Sequence, residues 1–83
     1  MSIDVRLFAL IRERIGAELL TLTLRPGTTI RDLRQRIAGE HPAVNDILAR
    51  CAFAIGGVVA SDSDVIPNGV EVAVLPPVSG GES

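Results

Sequence analysis

Few side chains in this sequence belong to the types that do chemistry, and most of those stand alone. Cys51 is the sole cysteine. It precedes Ala52-Phe53-Ala54-Ile55 with no histidine or acid beside it, which predicts a buried, inert thiol rather than a nucleophile. His41, in Gly39-Glu40-His41-Pro42, has no second ligand type nearby and reads as a solvated residue capping a helix end, not as a metal ligand. Ser61-Asp62-Ser63-Asp64 has too few spaced carboxylates for a calcium loop. Gly56-Gly57 lacks a third glycine, a lysine and a following helix, so it fits a two-residue hairpin turn and not a phosphate loop. The stretch that remains is Pro76-Pro77-Val78-Ser79-Gly80-Gly81-Glu82-Ser83. The two prolines have no backbone N–H to give a sheet and hold φ near the polyproline II value, so the chain leaves its last strand extended and stiff. Gly80 and Gly81 carry no Cβ and fit a channel too narrow for other residues. A stiff-rooted, slim-tipped arm suits chemistry on a carboxyl group at its tip, performed inside another protein's active site. Because Glu82 and Ser83 follow, the Gly81 carboxyl is held in an amide.

Composition narrows the choices further. Eighty-three residues make one domain, near the size at which a single core supplies only about 3–5 kcal/mol without staples. Trp and Tyr are absent and Phe8 and Phe53 are the only aromatics, so an aliphatic core is expected and nothing suggests a base-stacking surface. Eight cationic side chains against ten acidic ones leave a net charge of −2, without the basic excess of a nucleic-acid binder. No apolar run approaches the ~20 residues of a membrane span, and Met1-Ser2-Ile3-Asp4 lacks the charged start and apolar middle of a signal peptide. The expectation is a cytoplasmic protein with neither nucleic acid nor membrane as partner. With one cysteine, no internal disulfide can form.

The elements that must carry the arm are legible from periodicity. Ser2 to Leu7 alternates as a half-buried strand with Ile3, Val5 and Leu7 inward, which puts Phe8 on the outward face. Ala9 to Gly16 reads as a short helix, apolar at Ile11 and Ile15, with Gly16 where a left-handed cap sits. Glu18 to Leu24 alternates again, Leu20, Leu22 and Leu24 inward, pairing antiparallel with the first strand. Arg25-Pro26-Gly27 turns the chain into the main helix, with Thr29 as N-cap, Asp32 completing a capping box and Ile30, Leu33 and Ile37 as the buried stripe. Gly39 and Pro42 are read as its stop. Arg31, Arg34 and Arg36 are read as a solvated face, with Asp32 and Arg36 as an i,i+4 pair. Ala43 to Arg50 connects, with Val44, Ile47 and Leu48 under the sheet. Ala52 to Ile55 and Val58 to Ala60 form a hairpin, Pro67-Asn68-Gly69 turns, and Val70 to Leu75 is the final strand with Val70, Val72 and Val74 inward. The order is β-β-α-β-β-β, an α+β mixed sheet packed on one main helix, with a short helix between the first two strands.

Leu75-Pro76-Pro77-Val78-Ser79-Gly80-Gly81 resembles the tail of the small subunit of molybdopterin synthase, the MoaD-type ubiquitin-like sulfur carriers. The likeness extends to the first connection, where Phe8-Ala9, Arg12-Glu13 and Ile15-Gly16 stand. Thiamine-pathway carriers are similar in fold and tail but join their first two strands by a tight hairpin, so the inserted helix favours the molybdopterin branch. The resemblance implies a β-grasp domain over residues 1–75, with the last strand central and parallel to the first, and an extended tail over 76–83. It also implies that Gly81 is the site of adenylation and thiocarboxylate attachment, that Pro76, Pro77, Val78, Ser79, Gly80 and Gly81 enter the partner, and that catalytic groups lie on that partner. No metal or cofactor is bound by the carrier. ATP is used by the activating enzyme.

The implied partners are the large synthase subunit, an E1-like adenylating enzyme and a protease that trims Glu82-Ser83. Phe8, Ala73 and Leu75, outward in pattern near the tail root, are the expected partner-binding face. All eight cationic side chains are arginine, so no lysine can accept an isopeptide link and any ubiquitin-like use runs through the C-terminal side. Two other readings stay open: a related carrier feeding cysteine or another thio-product, and a β-grasp interaction module whose tail is never activated.

Overall fold

The computed structural model of the chain describes residues 1–77. Val78, Ser79, Gly80 and Gly81 of the expected tail, with Glu82 and Ser83 after them, lie outside the described residues. Strands Ser2–Leu7 (β1), Leu19–Thr23 (β2), Ala52–Ile55 (β3), Val58–Ala60 (β4) and Val72–Leu75 (β5) form one five-stranded sheet in the order β2-β1-β5-β3-β4. β1 and β5 run parallel at its centre, and the other neighbours are antiparallel. Helices Ala9–Ile15 (α1), Ile30–Glu40 (α2) and Asn45–Leu48 (α3), with a 3₁₀ turn at Pro42–Val44, complete the order. A mixed sheet with its last strand parallel to its first, beside one long helix, is the β-grasp arrangement.

Alternation along the strands decides which face the helices cover. Ile3, Val5 and Leu7 of β1, Leu22 of β2 and Val72 and Val74 of β5 are buried, together with Leu24 just past β2. Their outward neighbours Ser2, Asp4, Thr21 and Thr23 are exposed. Against that inner face α2 lays Ile30, Leu33 and Ile37, each fully buried, at the 3.6-residue spacing its sequence carries. Each such aliphatic side chain contributes about 1.5–3 kcal/mol on leaving water. Val44, Ile47 and Leu48 extend the same core, and Ile11 and Ile66 close it.

The caps form as the sequence indicates. Asp32 N–H donates to Thr29 Oγ1 and Thr29 N–H to Asp32 Oδ2, both at 3.2 Å, which closes the capping box. The 61–64 loop adds to it: the Ile30 and Arg31 N–H groups donate to the carbonyls of Asp64 and Asp62. Gly16 (φ 84) ends α1 with its N–H on the Arg12 carbonyl at 2.8 Å. Gly56 and Gly57, at φ 57 and 85, make the β3–β4 turn, a pair of positive values that only glycine adopts freely.

Several sequence expectations give way to local physics. The helix does not stop at Gly39 but runs through it to Glu40. Pro42 ends it by forcing His41 out of the helical region (φ −133, ψ 73), and His41 caps through its backbone N–H to the Ile37 carbonyl. Asp32 is occupied by the cap, so it does not pair with Arg36. Arg36 pairs with Glu40 at 3.1 Å and also donates to the Thr23 carbonyl at the edge of β2. Arg34 does not belong to the solvated face. It turns inward over the Phe53 ring, 4.6 Å from its centroid, and its fork donates to the carbonyls of Leu48 and Cys51 and to Asp62 Oδ1 at 2.7, 2.9 and 2.8 Å. Finally, β5 begins at Val72 and not at Val70, which is only half-buried.

Candidate functional site: the tail root and its sheet face

β5 is the central strand, and Leu75 at its end is followed by Pro76, exposed, and Pro77, half-buried. Neither proline can extend the ladder, so the chain leaves the sheet beside Ala52, the register partner of Leu75 on β3. On the other flank β1 has just ended, with Leu7 paired to Val74. One step further along that register places Phe8 level with Leu75.

Phe8 lies one residue past β1, whose bounds are those the alternation predicts. The last rung is made by the Leu7 N–H on the Glu18 carbonyl at 2.8 Å, and Phe8 becomes the N-cap of α1 with extended dihedrals. The residue is 36% exposed, as the outward reading requires. The change of direction falls on Ala9, whose φ of 52 costs an L-residue about 1–2 kcal/mol. Ala73 and Leu75, both half-buried, share the outward face of β5, since Val72 and Val74 take the inward one.

The register shows what alternation left unlisted. Ala73 is flanked by Arg6 on β1 and Ala54 on β3, Arg6 by Leu19 on β2, and Ala54 by Val59 on β4. One row therefore crosses the outer sheet as Leu19, Arg6, Ala73, Ala54 and Val59, with Leu75 and Ala52 in the row above. Leu19 and Val59 are 40% and 65% exposed. The sequence reading does not name Leu19, Arg6, Ala54 or Val59 on this face; cross-strand pairing puts them in one row with Ala73. Arg6 is the charged member, and its Nη2 donates to Glu71 Oε2 at 3.1 Å. That hydrogen bond, and then the carboxylate charge, raise the Arg6 pKa further.

Other candidates fall away. The Cys51 thiol is buried and donates to the Ile47 carbonyl at 3.3 Å, and burial pushes its pKa up, so it is neither exposed nor activated. Among the described residues no three His, Cys, Asp or Glu side chains are grouped to hold a metal ion, and no helix is long and apolar enough to cross a membrane. The outer face thus offers apolar contact, one ion pair and an exit for the tail. Further along the same face the Thr21 hydroxyl donates to Asp4 Oδ1 at 3.0 Å.

Comparison with known proteins agrees with this geometry. The family model described as the ThiS family matches residues 5–81, a span that includes the tail beyond the described residues. The molybdopterin synthase sulfur carrier subunit of Chlamydomonas reinhardtii is 37% identical over 83 residues, covering 98% of this chain and 100% of that protein. A structure of the Pyrococcus furiosus protein described as putative molybdopterin converting factor subunit 1 superposes with a TM-score of 0.84 at 26% identity, over 94% of this chain and 99% of that one. At 24% identity the fold is also shared, with a TM-score of 0.68 over 98% and 100% of the two chains, by the Helicobacter pylori 26695 complex of subunits 1 and 2 of the molybdopterin-converting factor. With the family model matching residues 5–81 of this chain, the chain belongs to the ThiS family, and its likeness within that family is to the MoaD-type carriers.

Proposed function

We propose that this chain is the sulfur carrier subunit of a molybdopterin synthase, working through the carboxyl of Gly81 once Glu82-Ser83 is removed. The observation that carries the reading is the central strand β5 running into Pro76-Pro77 beside the outward side chains of Phe8, Ala73 and Leu75. A domain built this way presents its terminus and leaves the chemistry to others. The name of the algal relative supports the pathway.

The steps follow from the chemistry of a carboxyl group. In an E1-like adenylating enzyme a Gly81 carboxylate oxygen attacks the α-phosphorus of ATP, and pyrophosphate leaves. Sulfide (HS⁻) then attacks the carbonyl carbon, the new C–S bond forms as the C–O bond to AMP breaks, and loss of the proton leaves the thiocarboxylate. Sulfur at that position stays ionised at neutral pH and is a stronger nucleophile than carboxylate oxygen. The tail delivers it into the large synthase subunit, whose groups catalyse transfer to a pterin precursor. Phe8, Ala73 and Leu75 hold the body against that subunit while Pro76 to Gly81 reach inward.

Phe8→Asp is the discriminating variant, because Phe8 is exposed and stands at a helix N-cap, where aspartate is among the favoured residues. Urea midpoints should therefore move by no more than about 0.5 kcal/mol. Titration calorimetry against the large subunit should show affinity weakened about tenfold or more, as for a central aromatic anchor. Unchanged affinity would remove Phe8 from the interface. Loss of the fold would overturn its outward assignment.

A further inference from the structure

Arg6 and Glu71 stand on the outer face where its apolar row gives way to the polar side chains of Asp4 and Thr21, at the place where a partner must lie to reach the tail. In the row Leu19, Arg6, Ala73, Ala54, Val59 the guanidinium is the only charge, and it stands directly beside β5. Its neighbour Ala73 has only a methyl group, which leaves room for the Arg6 stem to lie along the sheet and reach Glu71 at 3.1 Å. The two side chains are 43% and 50% exposed. In water such a pair adds almost nothing to stability, because solvent screens it and holding two long side chains costs entropy.

Covered by a partner, the same pair behaves differently. Either charge alone on a dry surface is strongly unfavourable, whereas the two together arrive neutral. Asp4 and Glu18 also act on Arg6, less than Glu71 does, so a carboxylate brought up from a partner would be repelled by acids already near the guanidinium. We infer that the Arg6–Glu71 pair is a specificity determinant of the docking face: the large subunit covers it as a self-neutralised unit, giving neutral acceptors such as backbone carbonyls to the remaining Arg6 N–H groups, while surfaces that bring a carboxylate to that spot are rejected. The identity of the partner rests on the sulfur-carrier reading above.

A double-mutant cycle tests the pair, with Arg6→Leu, Glu71→Gln and the double variant titrated calorimetrically against the large subunit, on the full chain and on the form ending at Gly81. Each single change should weaken binding about tenfold or more by stranding one charge under the partner, and the double variant should return to within about threefold of the original. Urea melts of the same four proteins should barely differ, which separates recognition from folding. If the unaltered protein does not bind, the carrier reading fails and takes this inference with it. If it binds and the single variants change affinity less than about twofold, the pair is not covered and the inference alone falls. A double variant as weak as the two singles combined would mean that Arg6 and Glu71 contact the partner separately, which overturns the self-neutralised unit.

Discussion

A chain ending at Gly81 should support ATP–pyrophosphate exchange with its activating enzyme, and the chain continuing to Ser83 should support none. The difference is one of chemistry and not of degree. A carboxylate oxygen carries charge that can attack the α-phosphorus of ATP, while the carbonyl oxygen of the Gly81–Glu82 amide carries no full charge and shares its lone pairs in resonance with nitrogen. Restoring even a single glycine after Gly81 should abolish exchange, because the obstacle is the missing carboxylate and not the acidity of Glu82. Gly81→Val in the shortened chain should abolish it for a different reason, since a branched Cβ fills a channel that takes bare backbone. Equal exchange by the full and shortened chains, with proteolysis excluded by mass, would sink the mechanism.

Phe53→Ala should cost about 3–5 kcal/mol, the range for emptying a buried aromatic site. Phe53 is fully buried on β3, where it pairs in register with Val74 of the tail-bearing strand and with Ala60. Its ring also carries Arg34, whose fork ties the start of β3 to the 61–64 loop that caps α2. Removing the ring therefore opens a cavity and loosens the guanidinium that joins three segments. A domain of this size holds about 0.05–0.15 kcal/mol per residue, so the loss is a large share of the whole. A urea midpoint shift equivalent to less than about 2 kcal/mol would show that the core collapses around the vacancy.

What could be read from the sequence followed how local each signal is. Strict alternation in Ser2 to Leu7 and the stripe Ile30, Leu33, Ile37 gave the inner and outer faces, and these are the buried residues observed. Thr29 and Asp32 are three residues apart, so their capping box was legible without tertiary information. Arg34 was not legible, because its acceptors stand 14, 17 and 28 residues away and its sequence neighbours suggest only a polar helix face. The Asp32–Arg36 pairing failed because the helix cap competes for the same carboxylate. At the outer face, parity put Phe8, Ala73 and Leu75 outward, but Arg6, Ala54 and Val59 join them only through cross-strand register, which alternation does not encode. The family likeness of the tail came from residues 75–81, of which Leu75, Pro76 and Pro77 are among the described residues.

The intact mass of the protein recovered from its native cells bears most directly on the carrier reading. In cells making the molybdenum cofactor, the expected species ends at Gly81, with a fraction heavier by the difference between sulfur and oxygen that reverts on hydrolysis to the carboxylate. A population that keeps Glu82 and Ser83 throughout, with no sulfur-bearing form, would contradict it.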